Sequence, residues 1–128
     1  MTNQPLSYSA LLVDDYAPLR HAVTRILRRT CAMRVTEAAS GQAALDILEA
    51  HTFDVIVSDL RLHSVPNGQA LLLICARLYP EMRRVLLTAH TSAELVISGV
   101  ADEVLDKMLD SSVIAETVCR LAKEPRVT

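Results

Sequence analysis

Glycine and aromatic residues are scarce in this 128-residue chain, which holds three glycines, three tyrosines, one phenylalanine and no tryptophan. Gly41, Gly68 and Gly99 lie so far apart that neither the G-x-x-x-x-G-K phosphate loop nor the G-x-G-x-x-G dinucleotide turn can be written anywhere. A basic excess is missing too: 13 Lys and Arg against 15 Asp and Glu leave a net charge of -2, which disfavours nucleic-acid binding as the main activity. The longest apolar run, residues 70–76, is far short of a membrane span. No basic stretch followed by an apolar core marks the first residues as a signal peptide. The cysteines, Cys31, Cys75 and Cys119, are odd in number and form no C-x-x-C. They read as small buried hydrophobes in a reducing cytoplasm, not as a disulfide or zinc framework. His21, His51, His63 and His90 show no metal spacing and are expected mostly at the surface.

What the chain does have is enough apolar content, 51% of residues, for one core, and a length that suits a single domain spanning 1–128 with its core at about 8–123. Apolar runs alternate with helical patterns. Strands are expected at 9–13, 33–38, 54–58, 85–87 and, more weakly, 103–106. Between and after them lie helices: one entered through Pro18 and ending at Arg28 and Arg29, one capped by Ser40 and running to about His51, then 69–79, a short 92–98 closed by Gly99, and 111–123. The run 54–58 is β-branched and carries no interior charge, as a central strand covered on both faces should. Strict strand–helix alternation implies an α/β fold, a doubly wound five-stranded parallel sheet with helices on both faces, and the expected arrangement is the flavodoxin-like (βα)5 one with strand order 2-1-3-4-5. Such sheets bind ligands outside the carboxyl ends of their strands, which directs attention to Asp14, Asp15, Asp59, Thr88 and Lys107.

If the first and third strands are neighbours, as in that order, Asp14, Asp15 and Asp59 converge. Two unit charges about 4 Å apart repel by about 4 kcal/mol at an effective dielectric of about 20, so the cluster must raise a pKa or take up a cation. An all-oxygen donor set without Cys or His selects a hard ion, Mg²⁺ first because it accepts few protein ligands plus water, and such an ion invites a phosphoryl group. Asp59, alone after the central strand, is the candidate nucleophile; Lys107 supplies a mobile cation and Thr88 a hydroxyl. Taken singly, Asp15 could be only a helix N-cap and Lys107 only a surface cation, but together they stand on four strand ends in the order Asp-Asp, Asp, Thr, Lys.

That set resembles the receiver domains of bacterial two-component response regulators, chemotaxis-regulator-like, over nearly the whole chain. The resemblance is carried by LLVDDYAPLR, VIVSDLRL, PNG, VLLTA and the lysine of EVLDKM. It implies that Asp59 accepts a phosphoryl group from a histidine kinase or histidine phosphotransfer protein. It further implies that Asp14, Asp15, Asp59 and the Arg61 carbonyl hold Mg²⁺, and that Thr88, Lys107 and the backbone of Ala89 and Leu60 hold the phosphoryl oxygens. Arg61 and His90 are expected to flank that group and set its lifetime. The chain departs from the family at Met108, where proline usually follows the lysine, at Val104 in place of an aromatic, and at His63 in the loop after Asp59. The stretch from Thr88 to Lys107 is short, which points to weak coupling between the acceptor and the final helix. Arg20, Arg25, Arg28 and Arg29 suggest an acidic docking partner at the first helix, and the acidic run from Glu94 to Glu116 an opposite face that repels nucleic acid. No output domain is expected within 1–128. Two other readings are a pseudo-receiver scaffold that works without phosphorylation, and an aspartate-nucleophile phosphatase of the haloacid dehalogenase type. The latter needs D-x-D after its first strand, whereas Arg61 stands second after Asp59.

Overall fold

The computed structural model describes residues 7–89 and 100–124. Its elements are β1 (Ser9–Val13), α1 (Ala17–Thr30), β2 (Arg34–Ala38), α2 (Gly41–Ala50), β3 (Val55–Asp59), α3 (Gly68–Leu78), β4 (Arg83–Thr88), β5 (Glu103–Asp106) and α4 (Ser111–Lys123). The strands form one parallel sheet, as the alternation implied, in the expected flavodoxin-like order β2-β1-β3-β4-β5. The helix expected at 92–98, with His90 and Gly99 beside it, lies outside the described residues.

Side-chain alternation along the strands sorts the core into two layers. Ala10, Leu12, Val55, Val57, Val85 and Leu87 pack with Val23 and Leu27 of α1 and Ile114, Val118 and Leu121 of α4. Leu11, Val13, Ile56 and Leu86 point the other way, onto Ala44 and Leu48 of α2 and Leu71, Leu72 and Cys75 of α3. Both central strands are therefore buried throughout, which is why 54–58 reads as a continuous apolar run. At the amino end the Asp54 carboxylate accepts the Ser9 N–H at 2.8 Å and fixes the β1–β3 register. The same two-residue period gives Asp14, Asp59 and Lys107 the parity of the α1/α4 face and Thr88 the other.

Local chemistry sets the helix ends. The Ser40 hydroxyl accepts the Ala43 N–H and the Asn67 side chain the Ala70 N–H, both as N-caps. Asp110 caps α4, and the Ser112 N–H and hydroxyl hold its carboxyl below the usual value. Sequence placed the start of β4 at Val85, but the strand begins at Arg83 because Arg83 and Arg84 pair with Val55 and Ile56. Arg84 is buried, its guanidinium Nε donating to the Val100 carbonyl at 2.9 Å and its backbone N–H to Asp102 at 2.8 Å.

Two expectations need correction. Full burial holds for Cys75 only; Cys31 and Cys119 are half-buried, and burial together with the facing Cys119 thiol pushes the Cys31 thiol up to about 11. All three are free thiols. The acidic run is also less bare than it looked, because Asp102 pairs with Arg83 at 3.8 Å and Glu103 with Arg120 at 3.2 Å. Those arginines come from other elements and were invisible to a linear count of charges. No helix among the described residues is long and apolar enough to cross a membrane.

Candidate functional site

The carboxyl ends of β1 and β3 deliver the acidic cluster. The Asp14 N–H donates to the Ala38 carbonyl at 3.1 Å, continuing the β1–β2 ladder one residue past the strand and fixing the aspartate backbone. Asp59 is the last residue of β3. Asp14 and Asp59 are buried and Asp15 is exposed, yet each offers one carboxylate oxygen and these oxygens all lie within 4.8 Å of one another. Lys107 reaches in from just beyond β5, its backbone N–H held by the Thr88 carbonyl at 2.8 Å. Its ammonium Nζ stands 2.9 Å from Asp59 Oδ2 and 3.3 Å from Asp14 Oδ1. The open cleft around them is lined by Asp15, Tyr16, Asp59, Arg61, Thr88 and Lys107, together with His63 and Ala89. Thr88 is buried at the end of β4 and Ala89 is exposed beside it. The residues singled out at the four strand ends are thus brought into one place.

Donor chemistry and one orphan atom fit a hard divalent cation. Asp14 Oδ1 accepts the Tyr16 N–H at 2.9 Å, whereas Asp14 Oδ2 is buried without a hydrogen-bond partner. A buried carboxylate oxygen left unpaired is costly unless a cation takes it up. Together with Asp15 and Asp59 it offers an all-oxygen set suited to Mg²⁺.

Electrostatics follow from that geometry. Burial raises the Asp14 carboxyl above its ordinary value, aided by the Asp59 charge and opposed by the Tyr16 N–H and Lys107. For Lys107, burial works against the ammonium, but the hydrogen bond to Asp59 and the charges of Asp14 and Asp59 outweigh it and hold the pKa above normal. A raised carboxyl pKa means that the folded chain binds the proton more tightly than the unfolded chain. Stability therefore falls as pH climbs from 3.8 through the folded value, and ionised Asp14 is a destabilising presence at neutral pH. The Lys107 contribution has the same sign at the alkaline end, fully present below 10.5 and lost only as pH rises through its folded value. Asp14→Asn, which keeps the acceptor for Tyr16, is accordingly expected to raise Tm in EDTA at neutral pH, on the scale of a single stabilising change, roughly 0.5–2 kcal/mol. It should also erase any rise in Tm on adding Mg²⁺. Thermal melts with and without Mg²⁺ decide the matter, and a lowered Tm in EDTA would sink it.

The structure adds residues that the sequence did not single out for this site. Arg20 donates from Nε to Glu37 Oε1 at 2.7 Å and from a terminal nitrogen to the Asp14 carbonyl at 2.5 Å, tying β2, α1 and the cluster together. It is thus engaged with the site, leaving Arg25, Arg28 and Arg29 as the exposed cations of α1. Tyr16 occupies the α1 N-cap position, so Asp15 is not a mere cap. The tyrosine ring lies 5.9 Å from Lys107 Nζ. His63 approaches Asp15, with Nε2 3.5 Å from Oδ2. One expectation is corrected: the Leu60 N–H donates to the Leu87 carbonyl at 2.7 Å, extending the β3–β4 ladder, and is not open to a ligand. The neighbouring Arg61 N–H does face the site, 3.4 Å from Asp59 Oδ1.

Comparison with known proteins places this arrangement. The response regulator receiver domain family matches residues 10–118. The chain is 30% identical over 97 residues to the DNA-binding transcriptional regulator NtrC of Klebsiella pneumoniae, covering 76% of this chain and 20% of that protein. It is 30% identical over 117 residues to the probable transcriptional regulatory protein NarL of Mycobacterium tuberculosis, covering 90% and 53%. It spans about half or less of the length of these curated relatives. Among solved structures, the chemotaxis response regulator CheY4 of Vibrio cholerae superposes with a TM-score of 0.81 at 28% identity, covering 91% of this chain and 99% of that one. The response regulator TrrA of Thermotoga maritima, solved with Mg²⁺ and beryllofluoride, shares the fold at 22% identity with a TM-score of 0.78, covering 89% and 98%. From the strand order, the carboxylate cluster and the matched residues alike, the chain belongs to the response regulator receiver domain family.

Proposed function

We propose that this chain accepts a phosphoryl group on Asp59 from a histidine kinase or histidine phosphotransfer protein, in a reaction that requires Mg²⁺. The observation that carries the reading is the convergence of three carboxylates, two of them bonded to Lys107, with a buried Asp14 oxygen left over for a metal. Asp59 is suited to the nucleophile's part because it lines the open cleft at a strand end. Its oxygen would form the new P–O bond as the P–N bond to the donor imidazole breaks and the imidazole leaves. Asp14, Asp15, Asp59 and the Arg61 carbonyl would hold Mg²⁺, which when bound neutralises charge on the phosphoryl oxygens. Lys107 is placed to pass from Asp59 Oδ2 to a phosphoryl oxygen, and Thr88 and the Ala89 N–H to donate to the others. Arg61, exposed at the rim, is placed to govern the approach of the water that ends the signal. Activity beyond this self-transfer and slow self-hydrolysis is not part of the reading. We place the protein in the cytoplasm, where its phosphodonor would reside.

The phosphorylation-independent scaffold remains the second reading because of two side chains. Val104 is half-buried against the α2/α3 layer, and Met108 is 82% exposed where proline would stiffen the loop. One experiment separates the two. Incubated with acetyl phosphate and Mg²⁺, the protein should gain one phosphoryl mass by intact-mass spectrometry and gain nothing in EDTA. A chain that stays unmodified under both conditions sends the phosphoacceptor reading down and leaves the scaffold.

A further inference from the structure

Four aromatic side chains are all this chain has, and one of them, Tyr16, stands 57% exposed at the mouth of the acidic cleft. Core packing does not explain an aromatic ring in that position, nor does helix capping, for its side chain makes no cap hydrogen bond. Its backbone is nevertheless fixed: the Tyr16 N–H is held by Asp14 Oδ1 at 2.9 Å, and its carbonyl accepts the Arg20 N–H at 3.3 Å as α1 begins. From this anchored backbone the ring comes to lie under Lys107 Nζ, 5.9 Å from its centroid. The same ammonium touches Asp59 Oδ2 at 2.9 Å and Asp14 Oδ1 at 3.3 Å. Two carboxylates and the negative face of a π system therefore surround one flexible cation.

We propose that Tyr16 is a positioning residue for Lys107, its ring keeping the ammonium inside the cleft when the carboxylate charge that holds it has been neutralised. The proposal deepens the phosphoacceptor reading and rests on it. A dication taken up by Asp14, Asp15 and Asp59 would neutralise the carboxylate charge that now holds Lys107 and repel the ammonium. The lysine, on a four-carbon stem with several rotatable bonds, is then free to swing into solvent before a phosphoryl group arrives. The ring face is a neutral partner that no cation displaces, so it restricts the ammonium during that interval. The quadrupole does this and the phenol hydroxyl does not. Phenylalanine should serve as well as tyrosine, whereas leucine, of comparable bulk but without a π face, should not.

The test compares the full chain as wild type, Tyr16→Phe and Tyr16→Leu. Phosphoryl uptake from acetyl phosphate at saturating Mg²⁺ is followed by intact mass, and the Lys107 side-chain methylenes by NMR in the metal-free protein. Tyr16→Phe should match wild type. Tyr16→Leu should take up the group about two- to fivefold more slowly, with its Mg²⁺ affinity unchanged, and the upfield ring-current shift of the Lys107 methylenes should vanish. Equal rates in wild type and Tyr16→Leu, or a Tyr16→Phe variant as slow as Tyr16→Leu, would overturn the proposal. If wild type takes up no phosphoryl group, the functional reading fails first. The Lys107 shifts then judge the ring contact alone, and their absence in wild type would overturn that as well.

Discussion

Replacing Asp59 by asparagine is expected to end phosphoryl uptake, lowering the rate by about 10³-fold or more, the scale on which removal of a reacting group acts. The amide keeps the shape of the carboxylate in a position that is 4% exposed, so the fold should survive. Lys107 keeps its second partner, Asp14 Oδ1 at 3.3 Å, and is not left as an unpaired buried charge. The other two carboxylates are poor substitutes. Asp14 has one oxygen committed to the Tyr16 N–H and the other buried. Asp15 lies under His63, whose backbone N–H and ring both approach Oδ2. Intact-mass kinetics of wild type and Asp59→Asn, with peptide mapping of any residual label, is the measurement. Equal labelling of the two proteins would remove Asp59 from the chemistry, whatever the fold.

Gly68→Ala is expected to be the most damaging small substitution in the chain. A Cβ at Gly68 would sit 1.9 Å from the Asp59 carbonyl oxygen and 2.8 Å from both the Asp59 carbonyl carbon and the Leu60 Cα. All three are backbone atoms, so no rotamer change relieves the overlap. Either α3 shifts outward or the end of β3 moves. The Gly68 N–H is bonded to the Leu60 carbonyl at 3.1 Å, which ties the two segments together and makes either movement expensive. A loss of about 3 kcal/mol follows, at the upper end of the usual range for overpacking, which for a domain of this size lowers Tm by roughly 10 °C. Gly41→Ala should cost less. Its Cβ would meet the Pro66 carbonyl oxygen at 2.2 Å, but that oxygen belongs to a loop with exposed neighbours on either side. Thermal unfolding of the two variants gives the order, and a Gly68→Ala protein as stable as wild type would contradict the close approach.

Much of this was legible because the relevant signals are short-range. An apolar run closed by an aspartate announces both a buried strand and the carboxyl end where a ligand binds, so Asp14, Asp59 and the parallel sheet could be read along the chain. Thr88 and Lys107 were likewise picked out as strand ends, and their backbones are joined across β4 and β5. What stayed hidden depends on contacts between elements distant in sequence. Nothing in the letters places Arg20 on the Asp14 carbonyl, sets Tyr16 beneath Lys107, or shows that the Leu60 N–H is spent on Leu87. Arg84 was illegible for a related reason. A charge at a strand start reads as a boundary, and of the Met82 and Val100 carbonyls that receive its guanidinium, the second lies far along the chain.

The position of β1 between β2 and β3 bears on how the chain is made. Ala10 pairs with Val35 on one side and Val55 on the other, so both edges of β1 wait for partners that follow it in the chain. At about 5–20 residues per second, the interval between synthesis of β1 and β3 lasts a few seconds. An apolar strand exposed for that long is a template for pairing with other nascent chains, and charged residues flanking it are the usual protection. Asp14 and Asp15 adjoin the apolar run of β1, and Asp54 and Asp59 bracket the rest of β3. In the unfinished chain charges so placed would act as gatekeepers against aggregation, and Asp14, Asp15 and Asp59 would do so before the cluster they form exists.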